Sequence, residues 1–145
     1  MKVLVTGGAG FVGTNLINRL LKDGHQVVSF DNYSTGFKEN RQDGCTYIDM
    51  DITEKFDDWV ERFDVIFHLA ALARIQPSMK NPFPPIEANF MGTLNVLEYA
   101  RKTNTQVIYS GSSTKHKGVF KSPYAWSKYG GEQLCELYSK IYDLN

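Results

Sequence analysis

"KVLVTGGAGFVGTNLINRLLKDG", Lys2 to Gly24, decides the fold. "KVLVT" is a short apolar run of the kind that forms a buried strand. Phe11, Val12, Leu16, Leu20 and Leu21 then recur at helical spacing, and Gly24 marks the stop. Between the two stand Gly7, Gly10 and Gly13, spaced G-x-x-G-x-x-G. Glycines at a strand-to-helix turn let backbone approach a pyrophosphate, and the helix N-terminus offers unpaired N–H groups and a partial positive charge. No Lys-Ser/Thr pair follows the last glycine, so this is not a nucleotidase phosphate loop. The segment predicts a dinucleotide-binding turn.

The same rhythm continues outward. "HQVVSFD" (25–31), "CTYIDMD" (45–51), "DVIFHLA" (64–70) and "TQVIYSG" (105–111) are expected strands. "TEKFDDWVERF" (53–63) is expected to be a short helix, with longer helices from Pro84 to Lys102 and from Pro123 to Asp143. "NYSTGFKENRQDG" is polar and turn-rich, hence a loop. The three prolines of "KNPFPPIE" (80–87) predict a kinked or cis-like stretch, or a rigid lead-in to the next helix. Strand and helix in alternation predict an α/β fold: a doubly wound, Rossmann-like parallel sheet with helices on both faces. Its fifth strand would be an open edge, so either a partner covers it or residues 1–145 are the N-terminal part of a longer enzyme lacking here its C-terminal substrate domain.

Composition narrows the function. The chain of 145 residues suffices for one domain with a real core. Sixteen basic residues balance sixteen acidic ones, which gives no reason to expect nucleic acid or a membrane surface as partner. No apolar run approaches the roughly 20 residues that span a bilayer. The first strand starts at Lys2, which leaves no room for a signal peptide ahead of it. Cys45 and Cys135 lie far apart without metal-ligand spacing, so two free thiols in the cytoplasm and no metal are expected.

Asp31 closes the second strand about twenty residues after the glycine turn, where its carboxylate can accept bonds from both adenosine ribose hydroxyls. It would repel a 2′-phosphate, and no arginine follows it directly; the expected cofactor is NAD. Asp51 and Ile52, after the third strand, suit the adenine amino group and ring, although Asp51 could equally cap the next helix. Ala70, Ala71 and Ala73 in "HLAALA" are small enough to let a cofactor lie on the backbone. His68 is expected to be a packed core residue rather than a base. Tyr124 and Lys128 stand four apart on the last helix, on one face. A tyrosine, ordinarily near pKa 10, is a poor base at neutral pH, and a lysine one turn along favours its phenolate.

"TGGAGFVG", "DNYSTG", "DMDIT", "HLAA", "NFMGTLNVLEYAR", "YSGSS" and "YAWSK" together resemble the extended short-chain dehydrogenase/reductase family, in its nucleotide-sugar epimerase/dehydratase group. They cover the chain in family order and are most similar to UDP-sugar 4-epimerases. The resemblance implies that Gly7, Gly10, Phe11, Val12 and Gly13 surround the pyrophosphate. Asp31, Asn32, Ser34, Thr35 and Gly36 would surround the ribose, and Asp51 and Ile52 the adenine. Leu69, Ala70, Ala71, Leu72 and Ala73 would line the central segment, with Asn89 in support and Ser110 counted in the same wall. Ser78 matches a serine that often faces the sugar.

The resemblance further implies that Tyr124 is the acid/base, Lys128 its tuner and a ligand of the nicotinamide ribose, and Ser112 the third catalytic group. In an epimerase the C4 hydroxyl is oxidised to a transient 4-keto sugar and reduced from the other face. Family 4,6-dehydratases carry an Asp-Glu pair where this chain has Ser113 and Thr114, which demotes dehydration. Two departures stand out: "TKHKGVFKSP" (114–123) is about half the family length, and the part that grips the nucleotide-sugar lies beyond Asn145. The alternatives are a stand-alone NAD-binding module or another nucleotide-sugar-modifying enzyme of the family. A homodimer is expected through helices 84–102 and 123–143, by way of Phe90, Leu94, Leu97, Tyr138 and Tyr142.

Overall fold

The computed structural model describes residues 1–145. Five strands, β1 (Lys2–Thr6), β2 (Gln26–Asp31), β3 (Cys45–Asp49), β4 (Val65–His68) and β5 (Gln106–Tyr109), pair in the order β3-β2-β1-β4-β5. All four pairings are parallel. The order reverses between β1 and β4, so the crevice of this doubly wound sheet opens at their carboxyl ends.

Alternation along the strands divides the core. Val3, Val5, Val27 and Val65 point to one face, where Ile17 and Leu20 of α1 (Phe11–Lys22) cover them. Two short helices, α2 (Ile75–Lys80) and α3 (Phe83–Ile86), precede the longer α4 (Gly92–Thr103). Leu4, Val28, Phe30 and Ile66 point to the other face, against Val96, Leu97, Tyr99 and Ala100 of α4. Tyr138 of α5 (Pro123–Tyr142) joins this larger cluster. Leu97 and Tyr138, expected at a dimer interface, are therefore buried in the chain's own core at 1% and 5% exposure. Leu94 packs partly buried against the same cluster, whereas Tyr142 stays exposed.

The expected helix at 53–63 does not form. Its aromatics have helical spacing, but Phe56, Trp59 and Phe63 all reach Phe30 edge-on from an irregular chain. Side chains of α4 hold backbone carbonyls along this segment in its irregular path. Asn95 Nδ2 donates to the carbonyls of Ile52, Thr53 and Glu54, and the Tyr99 hydroxyl donates to that of Glu61.

The proline-rich stretch contains no cis peptide. It separates α2, a short helix not expected from the sequence, from α3, which carries Pro84 and Pro85 in its only turn. The helical path then widens to a π-turn at Glu87–Met91 before continuing as α4, so the long helix expected from Pro84 exists with a bulge inside it. At the bulge the Asn89 carbonyl accepts from the Thr93 hydroxyl at 2.7 Å. Such bulges are frequently found at functional sites.

Candidate functional site

The glycine turn is shaped by steric demand. Gly7 has φ +74°, and a Cβ on it would come within 2.8 Å of Ala70 backbone. A Cβ on Gly13 would lie 2.3 Å from the Gly7 carbonyl oxygen. Only glycine lets α1 start this close to the end of β1. The helix has Gly10 as N-cap, no side-chain cap and no acidic residue in its first turn. Its first intrahelical bond is Thr14 N–H to Gly10 O, which leaves the N–H groups of Phe11, Val12 and Gly13 without an intrahelical acceptor.

These groups border a cleft at the reversal point. Thirteen of the residues expected at the cofactor line it: Gly7, Gly10, Asp31, Asn32, Ser34, Thr35, Gly36, Asp51, Ile52, Leu69, Ala70, Ala71 and Leu72. Met50 and Ala88, which were not expected there, line it as well. Ala88 could have been suspected as a small residue next to Asn89; Met50 carries no such signal. Phe11 and Val12 are exposed at the start of α1, and Gly13 is buried behind the turn. Ala73 lies outside this cleft, in an adjoining cavity that shares Thr35 and Leu72 with it.

Asp31 is 8% exposed, its Oδ2 accepting from Ala9 N–H and its Oδ1 from Tyr33 N–H, both at 2.8 Å. The carboxylate thereby ties the loop that follows β2 to the glycine turn. Asp51 accepts from the backbone and hydroxyl of Thr53 and from Asn32 Nδ2. Burial opposes its charge, but these hydrogen bonds outweigh it and hold the carboxyl below its usual pKa. Asp51 thus closes a local turn at Thr53 while lining the cleft; the helix it was an alternative cap for does not form. Uncapped N–H groups for a pyrophosphate, a carboxylate at the ribose position and an aliphatic side chain at the adenine position fit NAD.

His68 is 1% exposed, bonded to Thr6 at 2.7 Å and to Thr93 at 3.0 Å. Burial, with the nearby Lys128 charge, lowers its pKa to about 3 and keeps it neutral, as expected of a core histidine. Asn89 is equally buried: it accepts from Leu72 N–H and donates to Leu72 O and Ser127 Oγ. It supports the cleft wall rather than lining it. Ser110 is exposed at the end of β5, with its N–H on His68 O.

The second group of residues converges beside β5. Ser122 caps α5 by accepting from Ala125 N–H, and Pro123 occupies the first turn. Ser78, expected to face a sugar, is instead 1% exposed; its hydroxyl donates to Ile75 O and accepts from Tyr124 N–H. It anchors the start of α5. Tyr124 then presents its hydroxyl 3.5 Å from Ser112 Oγ. Ser112 Oγ also meets Thr114 Oγ1 at 2.8 Å, a contact not expected from the sequence. Lys128, one turn along, is 4% exposed, and its ammonium lies over the Tyr109 ring, 4.1 Å from the centroid. Burial, partly offset by Cys135 and Glu132, lowers its pKa to about 8. The shortened loop folds as two 3-10 turns, Ser113–Lys117 and Val119–Lys121. The free cysteines, Cys45 and Cys135, stand apart, and no group of side chains suited to a metal is present. No helix is long and apolar enough to cross a membrane.

Residues 3–145 match the NAD dependent epimerase/dehydratase family. The UDP-glucose 4-epimerase of Mycolicibacterium smegmatis is 32% identical over 169 residues, covering 100% of this chain and 53% of its own length. That aligned span exceeds the chain's 145 residues, so the relative carries residues inside it that are absent here. Among solved structures, UDP-glucose 4-epimerase from Thermotoga maritima with UDP-glucose superposes with TM-score 0.92 at 28% identity, covering 99% of this chain and 53% of that one. The Thermus thermophilus UDP-glucose 4-epimerase complex with NAD gives 0.88 at 31%, covering 99% and 52%. The chain spans about half the length of the relatives it matches. It belongs to the NAD-dependent epimerase/dehydratase family, whose cofactor its cleft fits.

Proposed function

We propose that residues 1–145 form the NAD-binding domain of a nucleotide-sugar 4-epimerase acting on a UDP-sugar, with Ser112, Tyr124 and Lys128 as its catalytic set. The observation that most supports this is the 3.5 Å approach of Ser112 Oγ, just past β5, to Tyr124 OH at the start of α5. The chemistry a bound NAD would supply is acceptance of the C4 hydride and its return to the opposite face of the 4-keto sugar. Tyr124 Oη takes the proton of the C4 hydroxyl and later gives it back. Ser112 Oγ bonds the same sugar oxygen and orients it. Lys128, one turn along the same helix face, would hold the nicotinamide ribose. Asp31 and the 32–36 loop would hold the adenosine. Ser113 and Thr114 supply no carboxylate near Ser112, which argues against the dehydratase alternative.

The test is C4 inversion of UDP-glucose or UDP-N-acetylglucosamine by the intact, NAD-loaded protein. Tyr124→Phe should lower kcat by about 100-fold or more while NAD stays bound. Failure to turn over any nucleotide-sugar with NAD bound would sink this reading. It would favour an NAD-binding module, in which Tyr124→Phe changes nothing.

The homodimer is proposed through the same two helical regions, on a revised set of residues. Met91, Trp126, Tyr129, Leu137 and Ile141 are exposed apolar side chains on the π-turn and α5.

A further inference from the structure

The short loop between Gly111 and Lys121 holds Ser112 in place by few contacts. Its backbone hydrogen bonds are local, Gly118 N–H to Lys115 O and Lys121 N–H to Gly118 O. The hydrogen bonds leaving the segment are the Ser112–Tyr124 contact and two that converge on Glu132. Glu132 Oε1 accepts from Ser112 N–H at 3.2 Å, and Oε2 pairs with Lys115 Nζ at 2.6 Å. The Glu132 side chain is 19% exposed and that of Lys115 37%, so the carboxylate is the sheltered end of a partly screened pair. A Cβ on Gly111 would stand 2.9 Å from Oε1, so the carboxylate lies directly against the chain ahead of Ser112.

Glu132 is also in register with the proposed catalytic pair. Tyr124, Lys128 and Glu132 succeed one another at four-residue steps on α5 and share a face. The loop packs on α5 through this face. Without Glu132, Ser112 would keep only its local bonds to Thr114 and the long 3.5 Å contact with the Tyr124 hydroxyl, and Lys115 would have no polar partner on the helix.

We propose that Glu132 is a positioning residue: by bridging the Ser112 backbone N–H and the Lys115 ammonium it latches the shortened loop onto α5 and sets the Ser112 hydroxyl beside Tyr124. This rests on the epimerase reading for its consequence, though not for its geometry. Glu132 contacts the Ser112 amide and not its hydroxyl, so it acts through Ser112 and takes no part in proton transfer. The latch does for a short loop what a longer segment could do by its own packing, and Lys115 is the loop's contribution to it.

The test uses the intact, NAD-loaded protein and four variants: Glu132→Gln, Glu132→Ala, Lys115→Met, and Glu132→Ala combined with Lys115→Met. The Ser112 amide resonance is followed by nitrogen-15 NMR, and kcat and KM are measured with UDP-glucose. Glu132→Ala should shift the Ser112 amide and lower kcat on the order of tenfold, with KM and NAD affinity within about twofold. Glu132→Gln, which keeps an acceptor for the amide, should recover most of that loss. Lys115→Met should give a smaller fall, and the double variant should be no worse than Glu132→Ala alone, since both act through one latch. An unmoved Ser112 amide in Glu132→Ala would overturn the latch whether or not sugar is turned over. An unchanged kcat in an active protein would overturn the positioning role. Absence of turnover in the unsubstituted protein counts against the epimerase reading alone, and the amide shift still decides the latch.

Discussion

Lys128 carries the sharpest conflict between stability and chemistry. Burial lowers its pKa to about 8 from the ordinary 10.5, so the folded state binds its proton less readily than the unfolded chain. Stability linked to this group is complete above pH 10.5 and is lost as pH falls towards 8; at pH 7 the folded protein bears the whole cost of a buried charge. Lys128→Met should therefore stabilise the protein at pH 7 by ~2 kcal/mol, after allowing for the lost contact with the Tyr109 ring. The gain should vanish as pH rises past 10.5, which denaturant titrations at pH 7 and 10.5 would reveal. The same substitution should abolish turnover. On the proposed epimerase reading, the rate of the unsubstituted protein should fall on the alkaline side as Lys128 loses its charge near pH 8.

At the scale of elements, the β1–α1 turn and the segment after β3 differ in how far their structure is local. The glycine turn was legible because its demands are met within a few residues: Gly13 must clear the Gly7 carbonyl, and α1 must begin there. Gly13→Ala should push the helix off the turn, cost about 2 kcal/mol in stability and weaken NAD at least tenfold as the helix N–H groups shift. Gly24→Ala is the control. Its Cβ would meet nothing within 4 Å, so only the φ of +80° is strained, and NAD affinity should hold while stability falls by about 1 kcal/mol. Thermal melts and NAD titrations of both variants separate the two effects. The helical spacing in 53–63 misleads because Asn95 and Tyr99, some forty residues later, hold its carbonyls in an irregular path. Glu132 escaped notice for the same reason: its partner Ser112 lies twenty residues earlier.

For the whole molecule, association depends on what the chain leaves uncovered. Leu97 and Tyr138 had the right helical spacing for an interface, but the chain's own sheet buries them. Met91, at 44% exposure, and Trp126, at 38%, remain available. Sedimentation equilibrium should show a dimer, and Met91→Glu should shift it to monomer by charging the contact. A concentration-independent monomer in the unsubstituted protein would remove the dimer.

The order of the five strands, the glycine turn and the acidic residue that closes β2 were determined by the sequence itself, because each depends on hydrophobic periodicity or on glycine sterics acting over a few neighbours. Tyr124 and Lys128 share a face for the same local reason. Tertiary structure alone decided which aromatics became core. It also brought the Ser112 hydroxyl to Tyr124 and clamped its amide to Glu132. Those outcomes depend on which distant groups compete for the same buried space and the same hydrogen bonds, and no local pattern records that competition.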